Sequence, residues 1–282
     1  ANSDRGLRSI CNKIVVQICA KVGGVPWNVD NLPFSDIPAM VIGIDVFHKV
    51  GSQKKSLLAF TATMNREFSK YWTTVRVQEE GQEIGVYLEH AFLEAAREFS
   101  SLHKRDVQRI IVYRDGVSDS QRQAVQSVEV ASFLRAMDKL IEAEKIDEKK
   151  RPELIFICSN KRVSTKFFDC AENLSNPKIP LENPQPGTIV DSVVTHGLDF
   201  YLASQKVRGG SVTPTHYFVI GYYKHVEGRY EHQVEVAKSR MSDIQLLTYK
   251  LCYLYYNWTG AVKVPAPIHY ADRLAGLVGG RW

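Results

Sequence analysis

The chain has 282 residues, 44% of them hydrophobic and 24% charged, which is ample material for a core and an ordinary globular composition. Thirty-six Lys and Arg against 31 Asp and Glu leave a net charge of +5, a mild basic excess that permits a nucleic-acid partner without demonstrating one. Five scattered cysteines (Cys11, Cys19, Cys158, Cys170, Cys252) show no CxxC pair and no Cys/His ligand spacing, so neither a zinc site nor a disulfide framework is supported; we expect an intracellular reducing compartment, cytoplasmic or nuclear. No signal peptide and no membrane-length apolar run is visible. The abrupt start at "ANSDRGLRSI" suggests a piece of something longer.

The first element is read as a helix over about residues 4–21: Leu7, Ile10, Ile14 and Ile18 recur at steps of three and four, and Gly23–Gly24 supply a stop. Val15 and Val16 make other faces apolar too, so the helix is expected to be well buried. A Pro-containing connector, "VPWNVDNLPFSDIP", is the best domain boundary. Then "MVIGIDVFH", "KSLLAFTATM" and "YWTTVRVQ" read as three strands joined antiparallel. A helix is expected from Glu83, carried by Ile84, Leu88, Ala91, Ala95 and Phe99, followed by a strand over 107–114 and a helix from about Ser118 to Ile141. "LIFICSN", "GTIVDSVV" and "HYFVIGYY" are further strands, and 224–241 reads as a polar surface hairpin. Two helices close the chain, one from a Ser242 cap through Leu254, the other from Pro265 to Gly279. This order implies an α/β fold with a mixed sheet flanked by helices.

Two strands carry the same oddity. Asp45 interrupts "VIGIDVF" and Asp115 ends "IIVYRD" just before a glycine. A carboxylate in or at the end of a buried strand is costly unless it is paired or holds a metal. Placed side by side, the two would call for a cation, and hard oxygen ligands suit Mg2+ or Mn2+. Two separately ion-paired aspartates are the plainer alternative.

The segments "GIDVFH", "QEIGVYLEHAF", "IIVYRDGVSDSQ", "KRVSTKFF", "NPQPGTIVD", "SVTPTHYFVI", "LTYKLCYLYYNW" and "VPAPIHYADRLA" resemble, in this order, the PIWI domain of Argonaute-family proteins. "YRDGVSD" and "QLLTYKLCYLYYNWTG" look most like the Piwi clade. The resemblance implies a C-terminal part of a MID domain and connector over 1–37 and a ribonuclease H-like PIWI domain over 38–282. It implies small-RNA-guided endonucleolytic cleavage of target RNA by two-metal-ion phosphodiester hydrolysis in gene or transposon silencing, leaving a 3′-hydroxyl and a 5′-phosphate. A catalytically silent guide-binding scaffold that acts through recruited partners is the alternative. The implied partners are a small guide RNA, a complementary target RNA, the N, PAZ and MID domains of the same chain, and silencing cofactors; no membrane is implied.

Carried over residue by residue, Asp45 and Asp115 match the first two catalytic aspartates, and Glu83 in "GQEI" matches the glutamate on a mobile loop that completes the site. The fourth place, usually histidine in eukaryotic relatives, is Asp272 in "PAPIHYADR", which makes a four-carboxylate site whose metal ligands would be Asp45, Asp115 and Asp272 with Mg2+ (or Mn2+). His269 lies one turn earlier and is placed against the site or RNA. Lys13, Gln17 and Lys21 fall at i, i+4 and i+8 beside the apolar stripe of the first helix, and the resemblance puts this strip at the pocket for the guide's 5′ phosphate. Lys161, Arg162 and Lys263, with Lys166, are placed on RNA backbone, and His216 in a structural or backbone-contact role. Tyr255, Tyr256 and Trp258 look like a stacking platform, part of which must be core. In the relatives a terminal carboxylate helps bind the guide, whereas this sequence stops at "LVGGRW", short of that point.

Overall fold

The computed structural model describes residues 2–48, 56–78, 84–147, 150–169, 181–207 and 209–279. Its centre is a nine-stranded mixed sheet built from β1 (Ala39–His48), β2 (Ser56–Thr63), β3 (Tyr71–Gln78), β4 (Arg109–Asp115), β5 (Glu153–Asn160), β6 (Thr188–Val190), β7 (Asp199–Ala203), β8 (Thr215–Val226) and β9 (Arg229–His232). The strands lie in the order β3-β2-β1-β4-β5-β8-β7-β6, with β9 paired to β8. β1, β4 and β5 run parallel at the centre and every other pairing is antiparallel. The expected α/β mixed sheet is therefore present.

The sheet has two buried faces because side chains alternate along each strand. Met40, Ile42, Ile44, Ile110, Val112 and Phe156 point to a core closed by α2 (Ile84–His103) and α4 (Ala131–Glu144). Val41, Ile111, Tyr113, Ile155 and Ile157 point to the other core, closed by α6 (Met241–Leu251) and by α7 (Ala266–Gly279) through Ile268. The near-continuous apolar reading of the central strands follows from burial on both sides.

Helix α7 is seated by the absence of side chains. A Cβ on Gly43 would lie 2.2 Å from the Pro267 carbonyl carbon, so only glycine lets the helix start rest on β1. The Thr61 hydroxyl donates to the Pro267 carbonyl at 2.9 Å, and Ala59 packs on Ala271 and Ala275 farther along. Small residues on both partners bring α7 down onto β1 and β2.

Several elements differ from the sequence expectation. Helix α1 (Asn2–Lys21) forms, but its apolar stripe is not buried: Leu7, Ile10, Ile14, Val15 and Ile18 are 61, 56, 49, 63 and 54% exposed. Amphipathic spacing says that a face is apolar, not what covers it. The single helix expected over 118–141 is instead a 3-10 turn at Asp119–Gln121, a short α3 (Arg122–Ala124), a π-helical segment at Val125–Val130 and then α4. Residues 224–241 are not one hairpin: β8 turns at Glu227–Gly228 into β9, and α5 (Val234–Ser239) follows. Strand β7 lies in a stretch not assigned from the sequence, and "GTIVDSVV" contributes only the three residues of β6. Helix α6 begins at Met241 without a side-chain cap and ends at Leu251, where the Cys252 and Tyr253 amides turn back to the Tyr249 and Lys250 carbonyls. Leu254 and the aromatic platform therefore lie beyond it, not on it. Tyr255 and Tyr256 are buried and Trp258 is partly exposed.

Candidate active site

The parallel register pairs Ile44 of β1 with Arg114 of β4, so Asp45 and Asp115 each stand one step past that pair on adjacent strands. Both belong to the odd-numbered set that faces α7. Asp115 pairs in register with Ser159 at the end of β5, and the Ser159 hydroxyl donates to Asp115 Oδ1 at 3.1 Å. Gly116 then takes φ +74°, a left-handed turn that releases the chain from the sheet directly after the aspartate, and its amide donates to the Ser159 carbonyl at 3.1 Å. This is the reason for "RDG": the strand ends in a buried carboxylate, and glycine turns the backbone away.

Asp115 is 1% exposed. Its second oxygen, Oδ2, is 2.7 Å from Lys161 Nζ, and the same ammonium lies 3.3 Å from Asp272 Oδ1 on α7. Burial, then the neighbouring Asp115 and Asp272 carboxylates, hold the Asp45 carboxyl above its ordinary value, opposed by Lys161 and Arg114. Burial works against the Lys161 ammonium, yet Asp115 and Asp272 keep it above the usual lysine range. Three carboxylates from β1, β4 and α7 thus share one electrostatic environment with one lysine between two of them.

The fit to a divalent cation rests on this chemistry. All three acids are hard oxygen donors, and a cation, the Lys161 ammonium, already bridges two of them. As the side chains stand, no group of three or more His, Cys, Asp or Glu among the described residues is spaced to hold a metal ion. Glu83 lies outside the described residues; helix α2 begins at the next position, Ile84.

The remaining sequence candidates distribute around this centre. His269 is stacked on Tyr255 with ring centroids 4.7 Å apart, and its Nε2 is buried without a hydrogen-bond partner. Burial first, then the Lys161 charge, lowers its pKa, with Asp272 and Asp115 opposing, so the imidazole is held toward its neutral form. Lys263 Nζ donates to the Lys161 carbonyl at 2.6 Å, and burial together with Lys166 and Lys161 lowers its pKa. Arg162 and Lys166 are exposed, Lys166 bonded to Thr213. His216 is bonded to Asp199 at 2.8 Å and stacked on Tyr201, an internal position consistent with a structural role.

Apart from this centre, Lys13 of α1 sits 5.0 Å over the Trp258 ring and helps line a recess of about 400 Å3 with Arg8, Ser9, Asn12, Val16 and Thr259. Gln17 is half-buried and Lys21 exposed farther along the helix. The sequence reading missed Ser159, although the period of two from Ile155 and Ile157 puts it on the Asp115 face. It also missed the Arg114–Glu129 pair, whose partners come from β4 and the π-helical segment.

The Piwi domain family matches residues 1–282. The chain is 38% identical over 273 residues to Piwi-like protein 1 of Gallus gallus, covering 96% of this chain and 28% of that one. It is 35% identical over 279 residues to protein argonaute-3 of Drosophila melanogaster, covering 98% and 28%. It therefore spans less than a third of these relatives. Among solved structures, Drosophila Piwi superposes with a TM-score of 0.75 at 31% identity, covering 98% of this chain and 34% of that one. Kluyveromyces polysporus Argonaute with a guide RNA superposes with a TM-score of 0.78 at 24% identity, covering 95% and 30%, a likeness of fold. The mixed sheet and its flanking helices are a ribonuclease H-like PIWI fold.

Proposed function

We propose, since this chain belongs to the Piwi clade of the Argonaute family, that it is the catalytic part of a small-RNA-guided endoribonuclease acting in gene or transposon silencing. The observation that carries the reading is the convergence of Asp45, Asp115 and Asp272, from three separate elements, on one site with an excess of negative charge. A group of carboxylates drawn together from separate elements with less positive charge than negative is a candidate functional site.

In this reading Asp45, Asp115 and Asp272 hold Mg2+ or Mn2+, with Glu83 completing the set. A divalent ion bound there supplies positive charge to the phosphodiester undergoing in-line displacement and acidifies a water. The chain's own groups do the positioning. Ser159 fixes the Asp115 carboxylate through Oδ1. The Gly43 contact fixes α7, and with it the height of Asp272 over β1. Arg162, Lys166 and Lys263 supply positive charge for RNA backbone, a contact that positions without reading sequence; base pairing to the guide reads the sequence. His269, whose pKa burial and Lys161 lower, has a buried Nε2 without a hydrogen-bond partner and is read as a group that bonds to RNA or to the site. Lys13, Gln17 and Lys21, in residues 1–37 read as the end of a MID domain, bind the guide's 5′ phosphate. The N, PAZ and MID domains of the same chain are the remaining partners, and the protein works inside the cell, in cytoplasm or nucleus.

The competing reading is a scaffold that holds guide and target and silences through recruited proteins; Lys161 drawn onto two of the three acids favours it. The two separate in one experiment. The full-length protein, loaded with a 5′-phosphorylated guide, is given a labelled complementary RNA with Mg2+ or Mn2+. Cleavage at one guide-defined position, lost in both Asp115→Ala and Asp272→Ala, is the expected result. Guide-dependent target binding without cleavage in either metal replaces the enzyme by the scaffold.

A further inference from the structure

Lys161 has more structure around it than an ordinary surface ion pair. Its ammonium bridges carboxylates from two elements, Asp115 at the end of β4 at 2.7 Å and Asp272 on α7 at 3.3 Å. The Asp115 side chain is 2% exposed and has one hydroxyl, Ser159, on its other oxygen. Without Lys161 this buried carboxylate would face Asp45 and Asp272 with no cation in contact, which is the costliest state available to it. Three acids against one lysine still leave two negative charges in excess, so the ammonium holds the cage together without neutralising it.

The backbone of Lys161 is held by hydrogen bonds, and its side chain by the two ion pairs. Lys263 donates to the Lys161 carbonyl at 2.6 Å, and the next amide, that of Arg162, donates to Asn160 Oδ1 at 3.0 Å. The side chain is 30% exposed and has a path to solvent. A divalent ion taking the same carboxylate oxygens competes with the ammonium for their lone pairs and is repelled by its like charge.

We propose that Lys161 is a tethered cation that keeps the carboxylates in place before metal binds and is displaced when a divalent ion enters. The inference rests on the metal reading given above. Lys161 is thus a positioning residue: it preorganises the acids, and by competing for their oxygens it sets how much metal the site needs. Once displaced, its ammonium lies at the rim of the site on a fixed backbone, next to Lys263.

The test uses the full-length protein, with Mn2+ alone as the probe, followed by calorimetry and by thermal unfolding in EDTA and in Mn2+. Asp115→Asn defines which binding belongs to this site. Lys161→Met is expected to bind Mn2+ at the Asp115-dependent site at least about tenfold more tightly than wild type, because a like charge in contact has been removed. It is also expected to melt lower than wild type in EDTA and to regain more on adding Mn2+. Lys161→Arg, which keeps the charge, is expected to stay near wild type in both measurements. Equal Mn2+ affinity in wild type and Lys161→Met overturns the placeholder and leaves the metal reading standing. Absence of Asp115-dependent binding in every protein overturns both. Should Lys161→Met be unfolded in EDTA, recovery of folding in Mn2+ supports the proposal and failure to recover at saturating Mn2+ overturns it.

Discussion

Arg114 and Asp115 are neighbours on one strand, and they end on opposite faces of the sheet in opposite electrostatic situations. On the α4 side, Arg114 Nε donates to both oxygens of Glu129 at 3.2 and 3.0 Å, with side chains only 11 and 6% exposed. One charge meets one charge, and both side chains are largely buried. On the α7 side, Asp115 shares Lys161 with Asp272 while Asp45 adds a third negative charge. The first face is a closed pair, whose value is structural. The second carries more acid than base and is partly open, the charge balance that the proposed metal reading calls for. A buried charge alone does not mark function; the mismatch between charges does.

The closed face gives the largest expected effect. Glu129→Ala leaves a buried guanidinium unpaired and is expected to cost about 3–5 kcal/mol, read as a lower denaturant midpoint at unchanged slope. Next comes Gly43→Ala, which drives a methyl group into the Pro267 carbonyl; about 1–3 kcal/mol of stability is expected to go. Because it lifts the helix carrying Asp272, guided cleavage should fall further than stability explains, measured as kcat beside the melting curve. Tyr113→Phe removes a buried hydroxyl 2.9 Å from Thr248, whose own bond to the Ile244 carbonyl remains, so about 1 kcal/mol is expected. The smallest effect has the opposite sign. Asp45→Asn relieves repulsion from Asp115 and Asp272 on the open face and is expected to raise the metal-free Tm by about 1–3 °C, while abolishing Mn2+-dependent stabilisation and cleavage. A loss of metal-free stability in Asp45→Asn would mean that the two faces do not differ in charge balance as described.

Much of this contrast was legible before any coordinates. An aspartate inside "VIGIDVF" and another closing "IIVYRD" announce two costly carboxylates, and alternation puts each on a definite face. Asp272 was legible only through family resemblance, because nothing in "IHYADR" says that this turn of helix lies over β1. Glu83 lies outside the described residues and so stays where the sequence left it. Lys161 was read as an RNA-backbone lysine; its contacts are with Asp115 and Asp272, a pairing over 46 and 111 residues that no local pattern encodes. The apolar stripe of α1 was read as buried because periodicity reports a face without its partner. The start of the helix after Ser118 was read as regular because a π-helical segment leaves no clear mark on a 3.6-residue stripe.

By itself the sequence determined the central strands β1 to β5 and β8, the two acidic strand positions and the family resemblance. These follow from local periodicity and the cost of burying charge, which act within a few residues. The tertiary structure decided which charges meet: Asp272 arrives because Gly43 admits α7, Ser159 because β5 pairs beside β4, and Lys161 because it directly follows β5, within reach of Asp115 and of α7. Electrostatic energy depends on separations of a few ångströms, and those are set only when distant segments pack.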